Sequence, residues 1–127
     1  MSNKQNFNDM NEVIAAYFEG LYQADSKMLS QVFHPDAKCI CIVEDQYTNY
    51  DMKEYFKIID ERISPASTAT KRVDKVISIE FGGSRMAFIK VSLEMFDREY
   101  LDFLTLANDE YGWRLMSKVF HYEPKEL

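Results

Sequence analysis

The amino-acid sequence predicts an α+β fold in which helices pack on one face of an antiparallel sheet. Apolar residues recur at helical spacing through much of the first half, and they alternate with polar residues through the second half. Gly82-Gly83 separates two of the alternating segments and is typical of a hairpin turn. Helical segments followed by hairpin-linked strands are the order found in α+β folds, where the helices gather on one side of the sheet.

The first two helices are predicted from capping residues and apolar spacing. Asn8 or Asp9 is the expected N-cap of the first helix, and Glu12 follows Asp9 in a capping-box-like pattern. Asp25 is the expected N-cap of a short second helix, which His34-Pro35-Asp36 ends because the residue before proline avoids helical dihedral angles. The apolar stripe of the first helix comprises Val13, Ile14, Tyr17, Phe18, Leu21 and Tyr22.

A third helix and five strands complete the expected order. The helix is expected to start at Asn49 or Asp51 and to stop at Ser64-Pro65. Its inward residues are expected to be Met52, Tyr55, Phe56, Ile59 and Ile63. The expected strands span residues 37–43, 72–81, 85–96, 100–107 and 113–122.

Length, composition and charge narrow the class of protein. A chain of 127 residues is expected to form one domain over 1–127, with its core at about 8–122. Hydrophobic residues make up 46% of the chain, which argues against disorder, and the net charge of −6 disfavours nucleic-acid binding. No apolar stretch approaches the length that spans a membrane, and the N-terminus has no apolar signal-peptide core. We therefore expect a cytoplasmic protein.

The cysteines and histidines do not predict a metal site or a disulfide. Cys39 and Cys41 lie two residues apart on a predicted strand, where neighbours on one face are about 6.5–7 Å apart and pair poorly as a disulfide. We expect both to be small buried apolar residues. His34 follows the second helix and His121 lies near the end of the last strand, on the face opposite Lys118, so the two do not form a metal site. No cofactor is predicted.

Four segments carry a family resemblance: Tyr17–Tyr22 with Asp25, Phe33–Ala37, Tyr100–Leu106 and Trp113–His121. In this order they resemble the nuclear transport factor 2-like superfamily over roughly residues 8–122, and most of all its putative lumazine-binding family. The resemblance implies a cystatin-like cone of about three helices packed on a curved antiparallel sheet around one pocket. The superfamily includes ketosteroid isomerases, scytalone dehydratase and polyketide cyclases, so this fold carries several chemistries.

The resemblance to ketosteroid isomerases indicates candidate catalytic residues. Those enzymes use a carboxylate base together with a Tyr and a protonated Asp that stabilise the dienolate. By position, the Tyr corresponds to Tyr17, the acid to Asp102 and the base to Cys41. Asp45 follows Cys41 by four residues and is expected to lie beyond the strand end.

The pairing of the last two strands affects the role of Asp102. If Ala107 opposes Trp113, then Asp102 lies directly opposite Lys118 on one face, and the cation favours the charged carboxylate. That state is the opposite of what an acidic donor needs. A shift of one residue would put the two side chains on opposite faces.

The favoured hypothesis is a small-molecule-binding module. Tyr17, Asp102 and Lys118 would orient a small planar or hydrophobic ligand in an aromatic pocket. Its expected wall residues are Met52, Tyr55, Phe56, Leu104, Met116 and Phe120. A purely structural reading stays open for each residue, with Tyr17 as a core tyrosine and Trp113 as a core or interface residue.

Two other hypotheses remain. The first is an isomerase or dehydratase in which Tyr17 and Asp102 stabilise the intermediate and His34, Asp36 or Cys41 acts as the base. The second is a non-catalytic interaction domain. Under all three hypotheses we expect a homodimer formed through an apolar sheet face that comprises Leu101, Phe103, Trp113, Leu115 and Val119.

Overall fold

A computed structural model describes residues 3–126, with side chains described from Asp9 onward. Three α-helices and six β-strands follow one another in the order α1, α2, β1, β2, α3, β3, β4, β5 and β6, with one 3-10 turn (Ala66–Thr68) after α3. The helices are α1 (Asn3–Gln23), α2 (Ser26–Ser30) and α3 (Met52–Glu61). The strands are β1 (Phe33–Val43), β2 (Gln46–Asp51), β3 (Val73–Gly82), β4 (Met86–Met95), β5 (Arg98–Asp109) and β6 (Gly112–Pro124).

The six strands form one sheet in the order β2-β1-β6-β5-β4-β3. All neighbours are antiparallel except β1 and β6, which pair in parallel. The predicted α+β class is confirmed, and the parallel pair is the one departure from a wholly antiparallel sheet. None of the helices in the described part of the chain has the length and apolar character that crossing a bilayer requires.

The helix starts were predicted with mixed success. Helix α1 already begins at Asn3, so the prediction that Asn8 or Asp9 caps it is wrong. Nothing in residues 4–8 ends a helix, because they include neither glycine nor proline. Asp25 caps α2 as predicted, with its carboxylate accepting from the N–H groups of Lys27 and Met28.

Helix α3 starts directly after Asp51, one of its two predicted N-caps. Asp51 accepts from the N–H of Glu54, whose carboxylate accepts from the N–H of Asp51, and this reciprocal capping box fixes the first turn. Ile63 is 72% exposed, so its predicted inward position is wrong. The helix stops at Glu61, and beyond that point the helical spacing no longer determines which side faces the core.

Strand β2 is an element that the sequence analysis missed. It pairs with the end of β1 through a tight turn at residues 44–45, where Glu44 takes a positive φ of 53°. The strand lies at the sheet edge and is largely exposed, so its sequence is polar and lacks the apolar alternation that marks a half-buried strand. Asn49, the alternative start of α3, lies in this strand.

A bulge in β6 changes the predicted register of the last hairpin. Thr105 pairs with Ser117 and Leu106 with Leu115, so Met116 has no partner. Beyond the bulge Asp102 opposes Phe120, so the prediction that it directly opposes Lys118 is wrong by two residues. A shift of two keeps Asp102 and Lys118 on the same face of the sheet.

Two of the five residues predicted on the apolar outer face of the sheet lie on its inner face. Trp113 and Leu115 are 6% and 0% exposed and belong to the core, because the extra residue reverses which positions of β6 point inward. Leu101, Phe103 and Val119 are 38%, 39% and 37% exposed on the outer face, as predicted. The inner face, which the helices cover, therefore carries Trp113 and Leu115 before the bulge and Lys118 and Phe120 after it.

Candidate functional site

Four polar side chains from four elements meet inside the core. Tyr17 on α1 donates a hydrogen bond of 2.6 Å to Asp102 Oδ2 on β5. Lys118 Nζ on β6 lies 3.9 Å from the same oxygen and donates to the hydroxyl of Tyr55 on α3 at 3.0 Å. All four are buried, with exposures of 0% for Tyr17, 2% for Tyr55, 1% for Asp102 and 4% for Lys118. We call these residues the buried network.

The sheet geometry explains how the two charges meet. Asp102 pairs with Phe120, and Lys118 pairs with Leu104, so the two charged residues are diagonal neighbours on adjacent strands. Diagonal neighbours on one face are within reach of a long side chain such as lysine. Cys39 on β1 is the other strand neighbour of Lys118 and is completely buried.

Aromatic rings surround the ammonium group of Lys118. Its Nζ lies 5.2 Å from the ring centroid of Tyr17, 5.3 Å from that of Tyr55 and 4.7 Å from that of Phe120. Phe33 packs edge-on between the two tyrosines, at 6.0 Å from Tyr17 and 5.8 Å from Tyr55. The negative faces of the rings partly replace the water that the cation loses on burial.

The protonation states follow from this environment. Burial, reinforced by the charge of Asp102, raises the pKa of Tyr17 well above its usual value, so its hydroxyl stays a proton donor. Burial opposes the charge of Lys118, but Tyr55 and Asp102 outweigh it, so the pKa of this ammonium is raised. Lys118 is therefore a fixed cation.

One atom of the network has an unused hydrogen-bonding capacity. Asp102 Oδ1 is fully buried and has no hydrogen-bond partner among the described residues. Buried carboxylate oxygens are nearly always hydrogen-bonded, because losing water without compensation costs about 1–3 kcal/mol or more. A donor from a bound molecule or a water would satisfy this oxygen.

A cleft adjoins the buried network beyond Phe120. Its volume is about 240 Å³, and it lies between the end of α3 and one end of the sheet. We call it the inner cleft, and its lining residues are Cys41, Val43, Gln46, Thr48, Tyr50, Ile58, Arg62, Arg98, Tyr100, Phe120 and Tyr122. Phe120 links the two sites, since its ring contacts Lys118 on one side and lines the cleft on the other.

A larger groove of about 580 Å³ lies on the opposite side of the sheet. It crosses β3 to β6 on the exposed face, and its lining includes Lys75, Ser92, Leu101 and His121. The sheet separates this outer groove from the buried network. Most of its lining side chains are polar or charged, whereas the buried network and most of the aromatic wall lie on the inner side. Size alone therefore does not make it the candidate site.

The structure brings together some of the predicted site residues. Tyr17, Asp102 and Lys118 lie in the buried network, and Phe120 connects them to the inner cleft. Leu104 is fully buried in the core. Phe56 is partly buried against Phe33 and Tyr55, Met52 is buried at the start of α3, and Met116 is half-buried at the bulge.

Among the candidate bases, Cys41 lies in the wall of the inner cleft, whereas the others lie apart from both the cleft and the network. His34 accepts from the N–H of Asp36, and its other ring nitrogen is 3.7 Å from Asp109, at the opposite end of β5 from the cleft. The side chain of Asp36 is 87% exposed. His121 is exposed beside Glu123 on the outer face, and Asp45 lies in the turn beyond β1, as predicted.

The two cysteines differ in their surroundings. Cys41 is half-buried in the wall of the inner cleft, and burial raises the pKa of its thiol. Burial also raises the pKa of the Cys39 thiol, to about 11. A thiol whose pKa is raised is a poor base at neutral pH. Within residues 3–126, no three His, Cys, Asp or Glu side chains are grouped so that they could hold a metal ion.

Sequence reasoning missed most of the cleft residues. Tyr50 lies on β2, which was not predicted, and Arg98 lies in a segment that reads as a turn. Tyr100 and Tyr122 follow the inward alternation of their strands, so that signal was present in the sequence. Arg62 follows the last turn of α3, where spacing alone does not show which way a side chain points.

Similar folds are found among solved structures. A protein of unknown function from Shewanella baltica OS155, described as NTF2-like, is 23% identical with a TM-score of 0.86, covering 98% of this chain and 99% of its own. An NTF-2 like protein of unknown function from Silicibacter pomeroyi DSS-3 is 18% identical with a TM-score of 0.86, and the match covers 97% of this chain and 100% of that protein. A ketosteroid isomerase-like protein from Erwinia carotovora atroseptica SCRI1043 is 11% identical with a TM-score of 0.65, and the match covers 88% of this chain and 92% of that protein. These similarities show the fold.

Sequence comparisons agree with the fold and add a family. Aldolase FrzH from Cladobotryum sp is 27% identical over 111 residues, which are 86% of this chain and 85% of the aldolase. The model of the family described as "Putative lumazine-binding" matches residues 5–121, nearly the whole chain. The protein therefore belongs to the putative lumazine-binding family and has a nuclear transport factor 2-like fold.

Proposed function

We propose that this protein binds a small planar molecule in the inner cleft, above the buried network. The observation that carries the proposal is the position of Phe120, which forms part of the cleft wall while its ring contacts the buried cation Lys118. Tyr50, Tyr100 and Tyr122 add aromatic surface with hydroxyl groups to the same wall. A concave cleft that combines aromatic rings with convergent polar groups is a common form of small-molecule site.

The protonation pattern favours binding over ketosteroid-isomerase-like catalysis. The Tyr17 hydroxyl donates a hydrogen bond to Asp102. These two side chains therefore form a donor–acceptor pair instead of two donors directed at a substrate oxygen. Cys41 occupies the position of the base and keeps its proton, since burial raises its pKa. No aspartate or glutamate lines the inner cleft among the described residues.

Native mass spectrometry of protein purified gently from its own host tests the proposal. We expect an added mass in a ratio of one per chain, together with ultraviolet absorbance beyond that of the aromatic residues. Cys41→Trp should abolish the added mass, because it fills the inner cleft. Lys75→Trp is the matched control, since it places the same side chain in the outer groove. Loss of the added mass in the control but not in Cys41→Trp would move the site to the outer face.

An enzyme of keto–enol chemistry is the second candidate, and the similarity to a protein described as an aldolase favours it. Here Tyr55 is better placed than Tyr17 to act on a substrate oxygen, because its hydroxyl accepts from Lys118 and keeps its own proton for donation. Lys118 would act as a charge and not as an amine nucleophile, given its raised pKa.

A test for isomerase activity separates the two candidates. With a β,γ-unsaturated ketosteroid as substrate, the binding proposal predicts no growth of the ultraviolet absorbance that the conjugated product shows. Turnover that disappears in Tyr55→Phe and persists in Tyr111→Phe, at an exposed turn, would favour the enzyme.

A homodimer formed through the outer face of the sheet is part of the same proposal. Leu101, Phe103 and Val119 form an apolar patch there, each 37–39% exposed. Apolar residues that cluster on a sheet face are typical of protein–protein contacts. Because the dimer would cover the outer face, the inner cleft would remain open to a ligand.

A further inference from the structure

Two arginines give the inner cleft a positive charge that the chain as a whole lacks. Arg62 and Arg98 line the cleft, and no acidic residue lines it with them among the described residues. Neither arginine takes part in any ion pair found within residues 3–126.

Aromatic rings hold the two guanidinium groups. The Arg98 guanidinium lies 4.3 Å from the ring centroid of Tyr122, and the Arg62 guanidinium lies 5.6 Å from that of Phe96. A guanidinium that stacks on a ring keeps the N–H groups along its edge free for an acceptor. Arg98 makes one long contact of 3.5 Å to the Tyr100 hydroxyl, which leaves most of its donors unused.

The size and lining of the cleft restrict what these donors can bind. The volume of about 240 Å³ is below the range of about 300–1,000 Å³ typical of drug-sized ligands. Tyr100 lies 5.2 Å from Tyr122 and 6.2 Å from Phe120, so adjoining rings form a continuous aromatic wall. One or two flat rings fit such a wall. The charge of Lys118 behind Phe120 is balanced by Asp102, so the positive charge of the cleft comes from the two arginines.

We propose that the ligand is an anion: a planar molecule of one or two rings whose carboxylate binds Arg62 and Arg98 while its rings contact Tyr100 and Phe120. The inference rests on the proposed function, because it names the ligand class of that same cleft. Guanidinium groups bind carboxylates through paired, charge-assisted hydrogen bonds, which neutral amides cannot reproduce. Charge should therefore decide affinity here more strongly than ring size.

Matched carboxylate and amide probes test the charge directly. Benzoate, benzamide, 2-naphthoate and 2-naphthamide are titrated against the full chain by saturation-transfer NMR. We expect at least one carboxylate to bind about tenfold more tightly than its amide, and its Kd to weaken as salt rises. Arg62→Gln/Arg98→Gln should remove this preference. Arg114→Gln is the control and should keep the preference for the carboxylate, because Arg114 lies about 25 Å along β6 from Tyr122 in the cleft wall.

The outcomes separate this inference from the proposed function. Equal binding of carboxylate and amide overturns the inference that the ligand is an anion, but it leaves the proposal that the cleft binds a planar molecule. Failure of both carboxylates to bind overturns the inference, whereas native mass spectrometry still decides the proposed function. The comparison of carboxylate with amide in the unchanged protein needs no variant, so it holds even if the double substitution impairs folding. Carboxylate binding that persists in Cys41→Trp would also contradict the assignment, because that side chain fills the cleft.

Discussion

At the residue scale, Asp102 and Lys118 hold opposite charges inside the core at exposures of 1% and 4%. Transfer of each ion from water to a protein interior costs several kcal/mol, which the attraction between them offsets only with good hydrogen bonding. Tyr17 and Tyr55 supply that bonding, with one hydroxyl on the carboxylate and the other on the ammonium. The network is therefore stable as a set, and it is sensitive to the loss of one member.

Asp102→Asn should lower the free energy of unfolding by about 3–5 kcal/mol, because it leaves Lys118 buried without a counter-charge. Asp102→Asn combined with Lys118→Met should recover much of that loss, since the second change removes the unpaired charge. Urea unfolding followed by circular dichroism measures both. Asp45→Asn, in an exposed turn, is the control, with an expected change within about 0.5 kcal/mol. A double variant less stable than Asp102→Asn alone would show that the pair is not coupled in this way.

Cys39 gives the stability a dependence on alkaline pH. Its pKa is raised from 9.0 to about 11, so the folded chain holds this proton more tightly than the unfolded chain does. Stability from the thiol is therefore complete below pH 9 and is lost as the pH rises through about 11. Tyr17 and Lys118, whose pKa values are also raised, add losses of the same sign at higher pH.

Cys39→Ala isolates the contribution of this thiol. Between pH 8.5 and 11 the free energy of unfolding of the unchanged protein should fall by roughly 2–3 kcal/mol more than that of the variant, from about 1.4 kcal/mol per pKa unit. The packing lost with the sulfur shifts the whole curve of the variant without changing its slope. Parallel curves for the two proteins would contradict a buried, neutral thiol at position 39.

The sequence predicted the residues of the network better than those of the cleft. Tyr17 and Asp102 follow the inward periodicity of a helix and a strand, so their burial was predictable, and Tyr55 was among the predicted wall residues. Lys118 was placed on the correct face although its partner in the ladder was wrong. Arg62 and Arg98 lie at element ends, where periodicity gives no direction, and only the folded chain brings them together.

At the element scale, the bulge of β6 is what lets one strand serve two purposes. Before Met116 the inward positions carry Trp113 and Leu115, which pack the core, and after it they carry Lys118 and Phe120 of the candidate site. A regular strand would turn one of these pairs to the outer face. The sequence does not reveal the extra residue, because apolar side chains occupy both phases of β6. The bulge accounts for one residue of the register error, and the other arises at the turn, where Ala107 pairs with Arg114 instead of Trp113.

Deletion of Met116 should be far more disruptive than its replacement. Without the extra residue, one end of β6 must turn its inward side chains to the outer face, so we expect a loss above about 4 kcal/mol or failure to fold. Met116→Ala keeps the backbone length and changes only a half-buried side chain, with an expected loss of about 1 kcal/mol. Thermal unfolding of the two variants compares them. A deletion variant as stable as Met116→Ala would mean that the bulge does not set the register.

Strand β2 shows the other limit of prediction at this scale. The residues that cap α3 were recognised, because a capping box is a local signal. The strand before it has no local signal, since an exposed edge strand needs no apolar alternation. It nevertheless supplies Gln46, Thr48 and Tyr50 to the inner cleft, so the site could not be completed from the sequence.

At the scale of the whole molecule, the sheet separates two surfaces with different chemistry. The inner side has the helices, the buried network and the cleft, whereas the outer side has an exposed apolar patch with Phe88 packed on Phe103 at 5.6 Å. The overall fold class was predictable because most elements keep regular periodicity, and the structures of similar shape agree with it. The proposed dimer would form through the outer surface, which periodicity describes only as exposed and apolar.

The dimer proposal predicts that Phe103→Glu lowers the molar mass in light scattering from that of two chains to that of one. A carboxylate at this position, about 39% exposed in the single chain, would be desolvated in the interface. Tyr111→Glu, at the turn between β5 and β6, is the control and should leave the mass at two chains. A molar mass of one chain for the unchanged protein would contradict the outer-face dimer.

A crystal structure of protein purified from its own host would show whether the inner cleft holds a ligand. We expect electron density for a flat molecule against Phe120 and Tyr100, with an acidic group within hydrogen-bonding distance of Arg62 and Arg98. Density for a molecule in the outer groove, with only water in the inner cleft, would place the ligand site on the outer face instead.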